Sequence, residues 1–484
     1  MPFPFVLPTT SSTSLTDYYT SPSHPSLLLT ATTQRSVVRD ALKKHKRLPP
    51  SSQPSHLSTV NEALNAYLPY LLLLHGALTS PHQSQVDVSE LKALETQWRP
   101  TLTRSPVPGR EPERAKVSGL QHEVAFVLQS LAYVQVLQAR TALFALYASP
   151  PPSQDQRAAA IATAMKYLLE ANSILGSSLS LSSASVNNTS TPPVDISPAT
   201  LSALASLTLA EATLITVLKD DPYTTTIIEA RSAESKEWMI RAPSIPKVRA
   251  HLFARLCLAS ADHAAKASAL LAQSGARIDD ALLKYADDLR RTARAKAARF
   301  LGVDAEAGAK TGEAIAWMRG ARHTMGFLAG PGDDDSKRKG LKGLKQSWAE
   351  KREDRKVLKG DNDTWGLDAG KLEEARVVEW LEGKWTREND AVGLHTVPPF
   401  EGLLALMPSG REYHTPKHYV PPTLDQHVLA QMRAPVDEGR HVYRGTEADS
   451  GDEQDVIGDN VVASVPGAFP GASRGDGVNT PAYF

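Results

Sequence analysis

The sequence predicts an all-α protein built from stacked helical hairpins, and three observations carry that reading. Residues 195–219, DISPATLSALASLTLAEATLITVLK, read as one buried helix. Several further long, Ala-rich helical stretches are joined by short polar links with no fixed repeat motif, which suits stacked hairpins rather than a closed bundle. Alternation of the strand type is confined to one short piece near the start, Phe3 to Leu7.

The central stretch shows the logic. Ser197 is a good N-cap and Pro198 suits the first helical position, where its missing N–H would have no partner anyway. Leu201, Leu204, Leu207, Leu214 and Leu218 recur at three, four or seven residues and so line one face. Ala203, Ala205, Ala210 and Ala212 leave neighbouring helices room to approach.

In chain order, residues 1–30 alternate apolar with Ser, Thr and Pro residues and hold the extended piece. From Thr32 the pattern turns helical through TQRSVVRDALKKHKRL, and again, after a proline-rich link at 49–54, through STVNEALNAYLPYLLLLHGAL. Next come SELKALETQWRPTL, a polar link at 104–114 and a long helix over about 116–147. The helix QRAAAIATAMKYLLEANSIL leads to a Ser/Asn/Thr-rich loop at 176–194, ahead of the central helix. Beyond the latter lie PSIPKVRAHLFARLCLASADHAAKASALLA, RIDDALLKYADDLRRTARAKAARFLG and KTGEAIAWMRGARHTMG. Residues 1–434 are read as one scaffold domain. Residues 435–484 are acidic, Gly/Pro-rich and too poor in apolar residues to offset their ordering entropy, and are read as a disordered tail.

Several of these stretches resemble the BRO-domain family, the helical scaffold of Alix and its fungal relatives. DISPATLSALASLTLAEA is similar to its central helix. Glu123, Val127, Leu128, Leu131 and Ala132 match a second family helix, and Gly312-Glu313-Ala314-Ile315-Ala316 with Ala321 match the start of another. Asn389, Asp390, His395, Val397 and Pro398 match the closing element, while Phe3 to Leu7 with Asp17 and Tyr18 resemble the family's opening. The stretch LLALMPSGREYHTPKHYVPPTLD resembles the fungal pH-response regulator branch, PalC. The resemblance implies an elongated, boomerang-shaped helical solenoid with a TPR-like core and a minor β element near its N-terminus.

Composition excludes other classes. Lys+Arg 53 against Asp+Glu 53 leaves no net charge, so no global field favours nucleic acid. The single cysteine, Cys257, excludes an intrachain disulfide and Cys-x-x-Cys zinc patterns and fits a reducing compartment, cytoplasm or nucleus. The start MPFPFVLPTT lacks a basic n-region and makes a poor signal peptide. Tyr67 to Leu78, the most apolar run, falls short of the roughly 20 residues that span a bilayer, so no transmembrane segment is expected.

Isolated motifs are outweighed by their plainer readings. Gly471-Ala472-Ser473-Arg474-Gly475 fits the serine-hydrolase pattern but has no strand before it. Gly330-Pro331-Gly332 lacks phosphate-loop spacing, and Asn188 is a glycosylation acceptor only in form. His414 and His418 have the spacing of zinc ligands on a helix, which Pro416 between them disfavours. Cys257 lies on an apolar helix face and reads as a small hydrophobe. The basic run 337–359 reads first as a solvated face and second as a peripheral membrane contact. No catalytic residue, cofactor or metal is expected; if the chain were an enzyme, His122, Glu123 and His263 would be the first suspects, and a generic helical interaction module is the other alternative.

Leu252 and Leu256, four apart in HLFARL, share a helix face. The resemblance implies that they hold the C-terminal amphipathic helix of the ESCRT-III core filament subunit, with Thr216 standing where relatives can carry an aromatic residue. It further implies a non-catalytic adaptor of alkaline-pH signalling. Such an adaptor is cytoplasmic and recruited to plasma-membrane or endosomal sites, and it helps assemble the membrane-associated complex in which another protein proteolytically activates a transcription factor.

Overall fold

Nine long helices follow one another as neighbours, each packed on the next, in a computed structural model that describes residues 2–104, 111–147, 152–184, 192–223, 248–273, 278–327, 365–393 and 395–435. They are α1 (Pro25–Arg47), α2 (Gln53–Thr79), α3 (Leu120–Phe144), α4 (Gln154–Ala184), α5 (Pro198–Lys219), α6 (Ala250–Gln273), α7 (Asp280–Ala307), α8 (Thr311–Thr324) and α9 (Lys371–Glu388). Two short helices close the order, α10 (Phe400–Ala405), which packs on α8, and α11 (Gln426–Gln431). Met1–Ala434 form one compact unit. Apart from Pro435, the tail assigned to 435–484 lies outside the described residues. So do Asn188, Gly330 to Gly332, the basic run 337–359 and the Gly471 to Gly475 motif.

The central helix forms as its sequence dictates. Ser197 caps α5 by accepting from the Thr200 N–H, an interaction of about 1 kcal/mol, and Pro198 opens the first turn. Leu201, Leu204 and Leu207 are buried, each contributing about 1.5–3 kcal/mol, while Ala203, Ala210 and Ala212 let α4 and α6 approach from either side. By length and hydropathy α5 could cross a membrane, yet 72% of that window is buried inside the protein, which accounts for its apolar character. Just ahead of it, the Asp195 carboxylate accepts from the backbone of Thr101 and Leu102 and from the Thr103 hydroxyl, at 2.7, 3.0 and 3.0 Å. Those bonds pin the loop after the sheet to the start of α5.

The β structure departs from the sequence reading. Phe3 to Leu7 pair with no strand; Phe3, Phe5 and Leu7 are instead driven into the core. The strands are β1 (Thr9–Thr10), β2 (Tyr19–Thr20), β3 (Ser89–Glu90), β4 (Glu95–Arg99) and β5 (Ala115–Ser118). β1, β4 and β5 form an antiparallel sheet in that order, and β2 pairs with β3. The helix expected from about residue 116 therefore begins at Leu120, because Gly119 at φ +93° turns the chain out of β5. Helix α1 begins at Pro25, ahead of Thr32, and α4 runs on to Ala184 through residues read as loop.

Two apolar clusters fill the unit. The first gathers the N-terminal peptide, α1 to α5, the strands and parts of α6 and α7; the second gathers the opposite parts of α6 and α7 with α8 and α9. Within the second, Arg299 is fully buried between Asp221 and Glu374, at 2.5 and 2.6 Å, and Lys296 shares Glu374 at 2.5 Å. Two cations thus meet two anions, which is how buried charge is kept tolerable.

Candidate functional site

Helix α6 presents one stripe at helical spacing: Leu252, Arg255 with Leu256, Ala259 and His263. Its residues differ in depth. Leu252 is half-buried, overlying the second cluster together with Val248, Leu403, Leu404 and Met407, whereas Leu256 is only 3% exposed and belongs to that cluster. Four residues rotate a helix by about 40° beyond a full turn, enough to turn Leu256 inward beside Phe253 and Cys257. Cys257 itself is fully buried, and burial pushes its thiol up to about 12, far from a nucleophile's range.

From Arg255 onward the chain's own return segment, residues 406–425, lies over this stripe. The Arg411 N–H donates to the Arg255 carbonyl at 3.0 Å, and Arg255 Nε donates to the Ser409 carbonyl at 3.1 Å. His263 Nε2 sits 2.9 Å from a Glu412 carboxylate oxygen. Gly410 passes so close that a Cβ there would lie 2.6 Å from the Ala259 nitrogen, which is why only glycine fits. Further on, His414 meets Thr216 of α5, burial lowers the His414 pKa, and the chain ends its crossing with the Ala434 N–H donating to the Ser23 carbonyl. The half-buried Leu252 lies ahead of the crossing, at the N-terminal end of the stripe.

The sequence singled out Leu252, Leu256 and Thr216 but not the segment that crosses beside them. Its signal was the proline punctuation of MPSG and HTPKHYVPP, which favours extended chain. His414 and His418, weighed as metal ligands, part company: His414 is taken by Thr216 and His418 is exposed. Among the described residues no group of three or more His, Cys, Asp or Glu is gathered as a metal site.

The suspects for acid–base chemistry are each engaged elsewhere. Glu123 is fully buried, accepting from Arg35 Nε at 2.9 Å and Trp98 Nε1 at 2.6 Å. His122 Nδ1 lies 2.5 Å from the Ser118 carbonyl, and His263 faces Glu412. Glu211 is held near its neutral form, its pKa raised to about 7 by burial, while it accepts from Tyr285 and from the Phe3 N–H. That bond and the one from Arg140 to the Pro2 carbonyl at 2.9 Å fasten the N-terminal peptide at the centre of the stack.

Comparison with known proteins follows from this architecture. No family model matches the chain. It is 43% identical, over 97% of its length and 99% of the relative's, to the pH-response regulator protein palC of Emericella nidulans. Its fold is that of the ALIX BRO1 domain. A structure described as an ALIX BRO1 CHMP4C complex aligns with TM-score 0.52 at 14% identity, covering 88% of this chain and 96% of that one. ALIX in complex with the SIVmac239 PYKEVTEDL late domain aligns with TM-score 0.55 at 14% identity, covering 90% of this chain and 52% of the other.

Proposed function

Because this chain belongs to the pH-response regulator palC family and carries a BRO1-type fold, we propose that it is a non-catalytic adaptor that lays a partner helix against α6. The partner is the C-terminal amphipathic helix of the ESCRT-III core filament subunit, and Leu252 is its principal contact, with Leu256 supporting Leu252 from beneath. Helix-in-groove recognition works through apolar anchors at i and i+4 or i and i+3, and a half-exposed leucine over a packed base is that kind of anchor. By docking this helix, the adaptor helps assemble a membrane-associated complex in which a separate protease activates a pH-responsive transcription factor. It works in the cytoplasm and is recruited to plasma-membrane or endosomal sites.

The observation that carries the reading is Leu252 itself, an apolar side chain only partly buried at the N-terminal end of a stripe whose later residues meet the protein's own return segment. A fold neighbour described in complex with CHMP4C supports it. The engagement of His122, Glu123 and His263 in separate contacts supports a scaffold rather than an enzyme. Titration with a peptide of the ESCRT-III helix tests the proposal. Leu252→Asp should weaken binding by about 2 kcal/mol or more, the scale of a hot spot, with unchanged circular dichroism. Equal affinity in a folded variant would remove Leu252 as the anchor.

A further inference from the structure

A second surface lies at the other end of the stack and is independent of the α6 site. Helix α1 is its first helix; it packs on α2 and on β1 and β2, and beyond Ser26, which donates to the Met432 carbonyl, its outer face is exposed among the described residues. Along that face run Leu29, 63% exposed, Val37, 47% exposed, then Lys44 and Arg47, at spacings of eight, seven and three residues. The cations do not stand alone. Arg39, Lys43, Lys44 and Arg47, with Asp40 as the one acid and Leu48, line a depression of about 450 Å³, and the sheet brings Arg99 of β4 and Arg114, just before β5, to the same end of α1.

The local charge balance is lopsided in a chain whose net charge is zero. Asp40 pairs with its neighbour Arg39, and Glu111 is shared between Lys46 and Arg99. Cations still outnumber these acids: burial and then the Arg39 and Arg114 charges lower the Lys43 pKa against the opposing pull of Asp40, and burial and then Arg99 and Arg114 lower that of Lys46. The excess of like charge, with Lys43, Lys44 and Arg47 on α1 and Arg114 beside it, costs the folded state free energy, which an anionic surface would offset. Exposed leucine and valine on the same face favour one kind of surface. They gain nothing from nucleic acid, but can enter the headgroup layer while the cations meet lipid phosphates.

We propose that the outer face of α1, from Leu29 to Arg47, with Arg99 and Arg114 beside it, is a docking surface for anionic lipid membrane. The helix lies along the bilayer plane, its apolar half shallowly inserted and its basic half over phosphate and carboxylate headgroups.

Co-sedimentation of the full chain with phosphatidylcholine vesicles containing about 30 mol % phosphatidylserine tests this, since each basic residue near such a surface adds about 1 kcal/mol. The expected result is binding that vanishes on pure phosphatidylcholine and weakens with salt. Lys43→Glu/Lys44→Glu/Arg47→Glu should bind about a hundredfold more weakly. Leu29→Ser/Val37→Ser should also bind more weakly while keeping the salt dependence. Should the triple variant lose its circular dichroism, Lys44→Gln/Arg47→Gln replaces it, with about a tenfold loss expected. Lys337→Glu/Arg338→Glu/Lys339→Glu, in the other basic run, should bind as the parent does. The proposal is overturned if the parent ignores anionic vesicles, including the case where it binds an acidic polypeptide instead. It is also overturned if the folded α1 variants bind normally, or if the 337–339 variant is the one that loses binding.

Discussion

His414 Nε2 lies 2.9 Å from Thr216 Oγ1, so a side chain from the return segment rests on the central helix beside the proposed partner site. Thr216 already donates to the Ala212 carbonyl at 3.0 Å, the usual back-bond of a helical threonine. The return segment has no regular structure of its own between α10 and α11 and depends on such points.

Gly410→Ala should therefore free that segment, since its Cβ would collide with the Ala259 backbone. The expected outcome is several-fold faster limited proteolysis between residues 406 and 425, with helical content unchanged, because cleavage tracks local opening. An unchanged cleavage rate would mean that the crossing does not rely on close approach at Gly410.

Leu252 and Leu256 should separate cleanly under substitution. Leu256→Ala removes a core side chain and should destabilise the fold by about 2–5 kcal/mol in urea unfolding. Leu252→Ala should cost clearly less stability, as a half-buried residue leaves a smaller cavity. Equal losses would show that the two leucines share one environment.

Arg299→Met removes the guanidinium that Asp221 and Glu374 share in the second cluster, leaving Lys296 on Glu374. Loss of a buried partner typically costs about 3–5 kcal/mol. A loss of less than a third of that in urea unfolding would mean that water reaches the carboxylates.

Two buried groups should give the stability profile opposing slopes. His45 is held down to about 4 by burial and then by His56, so its stabilising effect is complete above pH 6.5 and is lost as pH falls toward 4. Glu211 is raised to about 7, so its effect is complete below pH 4.5 and is lost as pH rises toward 7. Each spans about 3 kcal/mol. Glu211→Gln should thus steepen the gain in stability with rising pH, and His45→Gln should flatten it; melting temperatures between pH 4.5 and 7 check both signs. His24, His56, His75 and His414, all lowered by burial, lean the same way as His45.

What could be read from the sequence was what local chemistry decides. The cap at Ser197 and the leucine spacing of α5 both act within a few residues, and the structure repeats them. At the closing element Asn389 and His395 exchange two hydrogen bonds of 3.0 Å, fixing the turn after α9. Where the reading failed, distant partners decided. Leu91, Leu94 and Trp98 have helical spacing, yet Leu91 is exposed while Thr96 and Trp98 are buried at the strand period, because Trp98 stacks on Phe126 and donates to Glu123. In the Ser-rich end of α4, which stays helical, Ser180 and Ser182 spend their hydroxyls on carbonyls one turn earlier rather than on a competing turn. At α6 the sequence could show that Leu252 and Leu256 share a side, but their depth is set by α7, α8 and the return segment.

The fastening of Phe3 to Glu211 and Tyr285 bears on how the polypeptide matures at the ribosome. At about 5–20 residues per second, Tyr285 emerges roughly 15–60 s after Phe3. Phe3 thus waits, uncovered, for lodgings made well after it, and Phe5 waits a shorter time for Tyr133. Chaperone engagement of the nascent N-terminus, and sensitivity to bulky fusions placed there, follow from that delay.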